Sequence, residues 1–442
     1  MAKRLGPGRT PTIPNGSITI KCRLNRSVVG CGVPGAWSST APLPLSYPMR
    51  PILVFAAALL VASGCMGSRR TAVPPGDLRA ARDARQATYE TRRAAVVERL
   101  AARVAAGDRT VDVLVLSGGG QHGAFGAGFL RGWAARTDSP MPAFDVVTGI
   151  STGALLAPFA FVGTPEALAV AADLYRHPER ITPRRDVFGA LFRGTGALFD
   201  TDRIEATLAE VYDARLVADL EPGFAEGRQL FVGTTDLDLG RGRVWDIASE
   251  TRAAPTREQG AGRLGQLLRA STAIPGAFPP VVVDGTLQTD GGIATNLLAF
   301  DLQFLQALAR EVAARGAAEP GTDPVRVRLW VIVNLFLSPV VATVNESNVQ
   351  AVSTRASWLA VVLSQQETLA RLWEISEAVN AGAAGDGLSV EMRYAAIPDA
   401  WAAEPGAQAL FDAPYMNRLQ DYGEAQARSA EPWGPMPPGP FE

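Results

Sequence analysis

The apolar run Val111-Asp-Val-Leu-Val-Leu116 passes directly into Ser117-Gly118-Gly119-Gly120-Gln121-His122-Gly123 and then into Ala124-Phe-Gly-Ala-Gly-Phe-Leu-Arg-Gly-Trp133. A continuous apolar run of this length suits a strand buried on both faces, and the segment reads as strand, glycine turn, buried helix. A second unit follows: Phe144-Asp-Val-Val-Thr148, then Gly149-Ile150-Ser151-Thr152-Gly153, then the apolar stretch Ala154 to Val162. Two successive strand-turn-helix units point to an α/β chain with parallel strands at its centre. Its ligands then belong at the carboxyl ends of those strands.

The two turns carry different chemistry. Gly118, Gly120 and Gly123 satisfy G-x-G-x-x-G, the pattern that lets a backbone approach a dinucleotide diphosphate. That reading also wants an acid at the end of the second strand to hold a ribose. Here Asp145 stands near the strand's start, and the strand ends in Gly149-x-Ser151-x-Gly153. This is the pattern of a nucleophile elbow: small residues on both sides of the serine relieve crowding in a sharp turn between strand and helix.

A serine nucleophile needs a base. The usual order of acid and then histidine after the serine is impossible here, because the chain's two histidines are His122 and His177, and neither follows Asp290. What does follow the strand-like Val281 to Asp284 is Thr289-Asp290-Gly291-Gly292. A carboxylate held beside the serine could take its proton directly, and the glycines would let its loop come close. His122 is the rival base. Cys22, Cys31 and Cys65 have no metal-ligand spacing, and Asp236 with Asp238 lacks further ligands, so neither metal nor cofactor is expected.

Taken together, SGGGQHG, GISTG and TDGG resemble the patatin-like phospholipase family over about residues 111–300. Ala270 to Pro280 (ASTAIPGAFPP) resembles that family's segment ahead of the aspartate loop, and Thr234 to Asp238 its preceding strand. The resemblance implies a three-layer α/β/α fold with a mostly parallel sheet and an ester hydrolase acting on membrane lipids or lipid esters through a Ser-Asp dyad. Ser151 would be the nucleophile and Asp290 the base, with Gly118, Gly119, Gly120 and Gln121 as the oxyanion hole. Gly123, Gly149, Gly153, Gly291 and Gly292 would shape the turns. Where the family often carries Arg or Lys in the glycine motif, this chain has His122.

Charge separates the beginning of the chain from the rest. Residues 1–64 hold 7 of the 42 basic residues and no acid, leaving 35 against 44 acids after them. The body is therefore acidic, without the basic face that nucleic-acid binding requires. Met49-Arg50 opens the uncharged run PILVFAAALLVASGC, which reads as a secretory signal, too short to span a bilayer. Ala62-Ser63-Gly64-Cys65 resembles the lipobox of bacterial lipoproteins, which would make Cys65 a lipidated anchor to the cell envelope.

The expected organisation is therefore a doubtful extension (1–48), a lipoprotein signal (49–64), a solvated helical linker (65–110), the catalytic core (111–300), a completion of the same α/β domain (301–430) and a Pro-rich tail (431–442). Further strands are expected at Leu230–Leu237, Gly242–Ile247, Val325–Leu335 and Leu388–Ile397, and helices at Asp301–Arg315 and Gln350–Ala381. Val187 to Phe199, apolar and broken by glycines, is read as a flap over an acyl pocket or as core. An idle binding protein of the same fold and a dinucleotide-dependent oxidoreductase are the competing readings, and oligomeric state is left open.

Overall fold

The computed structural model describes residues 70, 71, 73–182, 184, 199–317, 323–383 and 387–434. The leading extension, the signal-like run, Cys65, nearly all of the Val187 to Phe199 stretch and the tail after Gly434 lie outside the described residues.

The first element, α1 (Pro75–Ala105), opens with proline at its first position, where a missing N–H costs nothing. It is one helix of 31 residues, and it corrects the expectation of a solvated linker. Val96, Val97, Leu100, Ala101 and Val104 fall on one face of its last turns and are buried. They join Val111, Phe304, Leu308 and Val312 in a single apolar cluster. The alanine and arginine content that suggests exposure belongs mainly to the outer face and the amino-terminal half.

The chain continues through β1 (Thr110–Leu116), α2 (Gly123–Ala134), β2 (Val146–Ile150), α3 (Thr152–Val162), α4 (Pro165–Arg176), α5 (Asp202–Val211) and α6 (Ala214–Ala225). Then come β3 (Gln229–Asp236), β4 (Arg241–Asp246), α7 (Ile247–Arg252), α8 (Arg257–Ser271), β5 (Val281–Val283) and β6 (Thr286–Asp290). The last elements are α9 (Leu302–Ala314), β7 (Val325–Phe336), α10 (Val349–Ala378), β8 (Leu388–Ile397) and α11 (Ala413–Ala427). The strands and helices expected after Leu230 fall within three residues of these bounds.

Among the described residues the eight strands form one sheet, ordered β5-β6-β3-β2-β1-β7-β8, with β4 paired to β3 off that path. The five strands β3, β2, β1, β7 and β8 run parallel, while β4, β5 and β6 are antiparallel additions on one side. Every residue of β2 and β3 is buried, as helices on both faces require. Helices α2, α3, α4 and α11 cover one face in a large apolar cluster, and α1, α9 and α10 cover the other. This is the expected three-layer α/β/α arrangement. No described helix is long and apolar enough to cross a membrane.

Candidate active site

Parallel pairing places Ile150 of β2 beside Gly233 of β3, and antiparallel pairing places Thr234 of β3 beside Asp290 of β6. The residue after β2 and the last residue of β6 are thereby brought together at one end of the sheet. They are Ser151 and Asp290.

Ser151 occupies φ 51°, ψ −120°. Such a backbone is costly for a non-glycine residue, about 1–3 kcal/mol, and persists only where the surroundings impose it. The surroundings do. A Cβ on Gly149 would overlap the backbone of Gly153, and a Cβ on Gly153 would overlap the carbonyl of Leu116, so the elbow closes only with glycine on both sides. The Ser151 N–H is donated to the Ser271 hydroxyl at 2.9 Å, and Ser271 donates to the Gly233 carbonyl at 2.7 Å.

Asp290 is buried and held on several sides. Its N–H is donated to the Ala273 carbonyl at 3.0 Å, its carbonyl accepts from the Thr235 hydroxyl at 2.8 Å, and its Oδ1 accepts the Gly292 N–H at 2.8 Å. Gly291 has no room for a Cβ against Gly233. Burial pushes the Asp290 carboxyl up to about 6, against the lowering effects of Ser151 and Gly292.

The glycine turn is tied to the end of β7. Ser117 Oγ donates to the Gly118 carbonyl at 2.8 Å and accepts the Asn334 N–H at 2.7 Å, while Asn334 Nδ2 donates to the Ser117 carbonyl at 2.9 Å. A Cβ on Gly119 would overlap the Asn334 carbonyl oxygen, and Gly120 has φ +58°. The Gly118 N–H is directed at the Asn296 carbonyl, 3.4 Å away. The N–H groups of Gly119 and Gly120 have no hydrogen-bond acceptor among the described residues. Two unclaimed amides at the start of a helical segment are suited to a developing negative charge. Gln121 does something else with its side chain: Nε2 donates to the carbonyls of Gly406 (2.9 Å) and Ala407 (3.1 Å), and Oε1 accepts the Asp412 N–H (2.9 Å). Gln121 thus pins the turn to the segment before α11.

His122 is buried, with Nδ1 2.9 Å from the Gly119 carbonyl and its ring edge-on to Phe336 and Tyr415. It makes no hydrogen bond to Ser151. Burial pushes the imidazole down to about 4, so at neutral pH it is uncharged and supports the turn. His177 is an exposed partner of Asp173 and Glu179. Asp236 accepts from Arg85, Thr286 and Gln288, and Asp238 pairs with Arg70, so both carboxylates are committed to structure.

Several supporting residues escaped the motifs. Asn296 Nδ2 donates to Gln365 Oε1 at 2.7 Å and to the Gly118 carbonyl at 3.3 Å, and Gln365 Nε2 donates to the Phe336 carbonyl at 3.3 Å. A Cβ on either Gly118 or Gly292 would crowd Asn296 Oδ1. Asn296 therefore clasps the aspartate loop to the glycine turn. Ser271 lies within the Ala270 to Pro280 segment already singled out, but only its contacts show what it does.

A small cavity of about 50 Å³ opens beside the serine, lined by Gly120, Ser151 and apolar side chains including Leu155, Ile181, Leu208 and Phe278.

The site thus holds a strained serine near a buried carboxyl, at the strand ends of an α/β/α sheet, with two glycine amides in the adjoining turn that have no acceptor among the described residues. Residues 114–302 match the family model described as patatin-like phospholipase, a family of lipid acyl hydrolases. Among solved structures, VipD from Legionella pneumophila is similar, with TM-score 0.32 and 14% identity over 72% of this chain and 66% of that one. No curated protein matches the chain.

Proposed function

We propose that the protein hydrolyses carboxylic esters of lipids through an acyl-enzyme on Ser151. The observation that carries this reading is Ser151 on a strained elbow, brought by the strand registers to the buried carboxyl of Asp290. As the hydroxyl oxygen bonds to the ester carbonyl carbon, its proton passes to Asp290. Negative charge on the carbonyl oxygen is met by the Gly119 and Gly120 amides. Collapse breaks the ester C–O bond, Asp290 returns the proton to the leaving alcohol, and the acyl chain stays on Ser151. Water then attacks the acyl-enzyme by the same route, giving the free acid. The apolar lining beside Ser151 suits the first carbons of an acyl chain.

A fluorophosphonate should label Ser151 and no other residue, and the labelled protein should lose turnover on a panel of phospholipids, lysophospholipids and short-chain p-nitrophenyl esters. Failure of both labelling and turnover would favour an idle binding protein of this fold.

The same reading puts the protein at a membrane surface of the cell envelope, held by lipid on Cys65; its support is the short apolar run and the lipobox-like Ala62 to Cys65. Multiple acyl chains anchor stably where one does not. Cys65→Ser should release the protein to the soluble fraction and abolish fatty-acid labelling. Membrane retention without any acyl label would overturn the anchor.

A further inference from the structure

A second cavity, larger than the one beside the elbow, does not contain Ser151. It encloses about 470 Å³ on the α1 side of the sheet, between α1, β3, β4 and the segment from Ala294 to Phe304. That volume lies within the range of small-molecule sites, about 300–1,000 Å³.

Its walls are of two kinds. Val96, Ile150, Phe231, Leu298, Phe300 and Phe304 supply an apolar part, with Phe300 and Phe304 stacked at 3.9 Å between ring centres. The polar part has five arginines, Arg85, Arg92, Arg93, Arg241 and Arg243, and four acids, Asp236, Asp246, Glu250 and Asp301. The acids are already engaged. Asp236 holds Arg85 at 2.6 Å, Asp301 pairs with Arg93, Glu250 holds Arg263 at 2.8 Å and lies 3.9 Å from Arg92, and Asp246 caps α7 through Ser249. Arg243 is held by Asp284 at 2.6 Å. Arg241 is the exception: it donates to the Gln86 side chain and has no carboxylate partner among the described residues.

An uncharged hydrocarbon would leave the polar rim facing apolar matter, and a sugar or nucleotide would leave the aromatic walls unfilled. One guanidinium with no carboxylate partner among the described residues, beside an apolar chamber, matches one negative charge on one chain. We propose that this cavity binds a long-chain carboxylate, with its head at Arg241 and its chain against Phe231, Leu298, Phe300 and Phe304. Ile150, Gly291, Ala294 and Thr295 also line the cavity, so the occupant would sit behind both the elbow and the Asp290 loop. Binding here needs no turnover at Ser151 and stands apart from the hydrolase reading.

The test uses full-length Ser151→Ala protein and a diazirine-bearing palmitate, with crosslinks located by peptide mass spectrometry. Crosslinks should fall in residues 85–96 and 294–304. Arg241→Glu should weaken binding about tenfold, the scale of one charge-assisted contact. Val244→Trp, which fills the chamber, should remove the crosslinks; Ala299→Trp serves as a second filler if circular dichroism shows the first misfolded. Crosslinks confined to the Ser151 cavity, or undiminished in Arg241→Glu and in a folded filler variant, would overturn the site. Equal affinity for the corresponding diazirine alcohol would overturn the carboxylate assignment.

Discussion

Ser271 grips Ser151 by its backbone: the Ser151 N–H is donated to the Ser271 hydroxyl at 2.9 Å, and that hydroxyl is itself donated to Gly233 at 2.7 Å. One fully buried hydroxyl thus holds the strained residue against the neighbouring strand. Ser271→Ala leaves a buried N–H and a buried carbonyl unpaired, a cost of about 1–3 kcal/mol in stability. Urea unfolding should register that loss, and kcat on a soluble ester should fall with little change in KM, because the elbow is loosened and the substrate cavity is not.

The proposed Ser151–Asp290 dyad makes a sharper prediction. Two groups acting as one unit are not additive, so Ser151→Ala and Asp290→Asn should each lower esterase activity by several powers of ten, with the double variant little worse. His122→Ala should retain more activity than Asp290→Asn. The reverse order would make His122 the base.

Acid should switch the reaction off near the pKa of Asp290. The carboxylate must be ionised to accept the Ser151 proton, and burial has raised its carboxyl to about 6. The expected kcat/KM profile therefore rises with pH through about 6 and then levels. A profile flat down to about pH 4 would contradict Asp290 as base.

His122 should leave its mark on stability instead. It is buried neutral with a pKa near 4, against 6.5 when free, so between those values the unfolded chain binds a proton that the folded chain refuses. Stability from this group is complete above about 6.5 and is lost as pH falls toward 4, by up to about 3 kcal/mol. Asp290, with its pKa raised, acts with the opposite sign over nearly the same window: its stabilisation is present at low pH and is lost as pH rises toward 6. Comparing His122→Gln with the parent cancels the Asp290 contribution. The parent should lose about 3 kcal/mol more than the variant between about pH 7 and pH 4 in denaturant titrations.

Gly119 and Gly120 should differ although both are glycines of one turn. A methyl at 119 overlaps the Asn334 carbonyl, so Gly119→Ala must displace the turn from β7, with a fall in both melting temperature and activity. At 120 there is open space but a left-handed φ, so Gly120→Ala should cost only about 1–2 kcal/mol of strain in unfolding measurements and keep most of the fluorophosphonate reactivity.

What could be known from sequence was local. Val111 to Leu116 is an apolar run suited to a buried strand, and the glycines of Gly149-x-Ser151-x-Gly153 and Asp290-Gly291-Gly292 mark places of close backbone approach, so strand, elbow and aspartate loop were legible in residue type and order, and with them the α/β class. The tertiary structure decided what depends on encounters between distant segments. The parallel register of β2 on β3 and the antiparallel register of β6 on β3 bring Asp290 to Ser151. Asn296 meets Gly118, and Gln365 meets Asn296, from separate elements with no motif of their own. His122 is indistinguishable in sequence from a surface histidine until Phe336 and Tyr415 enclose it. Helix α1 shows the same division: alanine and arginine set its helicity, but a buried stripe can be told from a solvated one only when a partner surface, here α9 and the sheet, is present to exclude water from it.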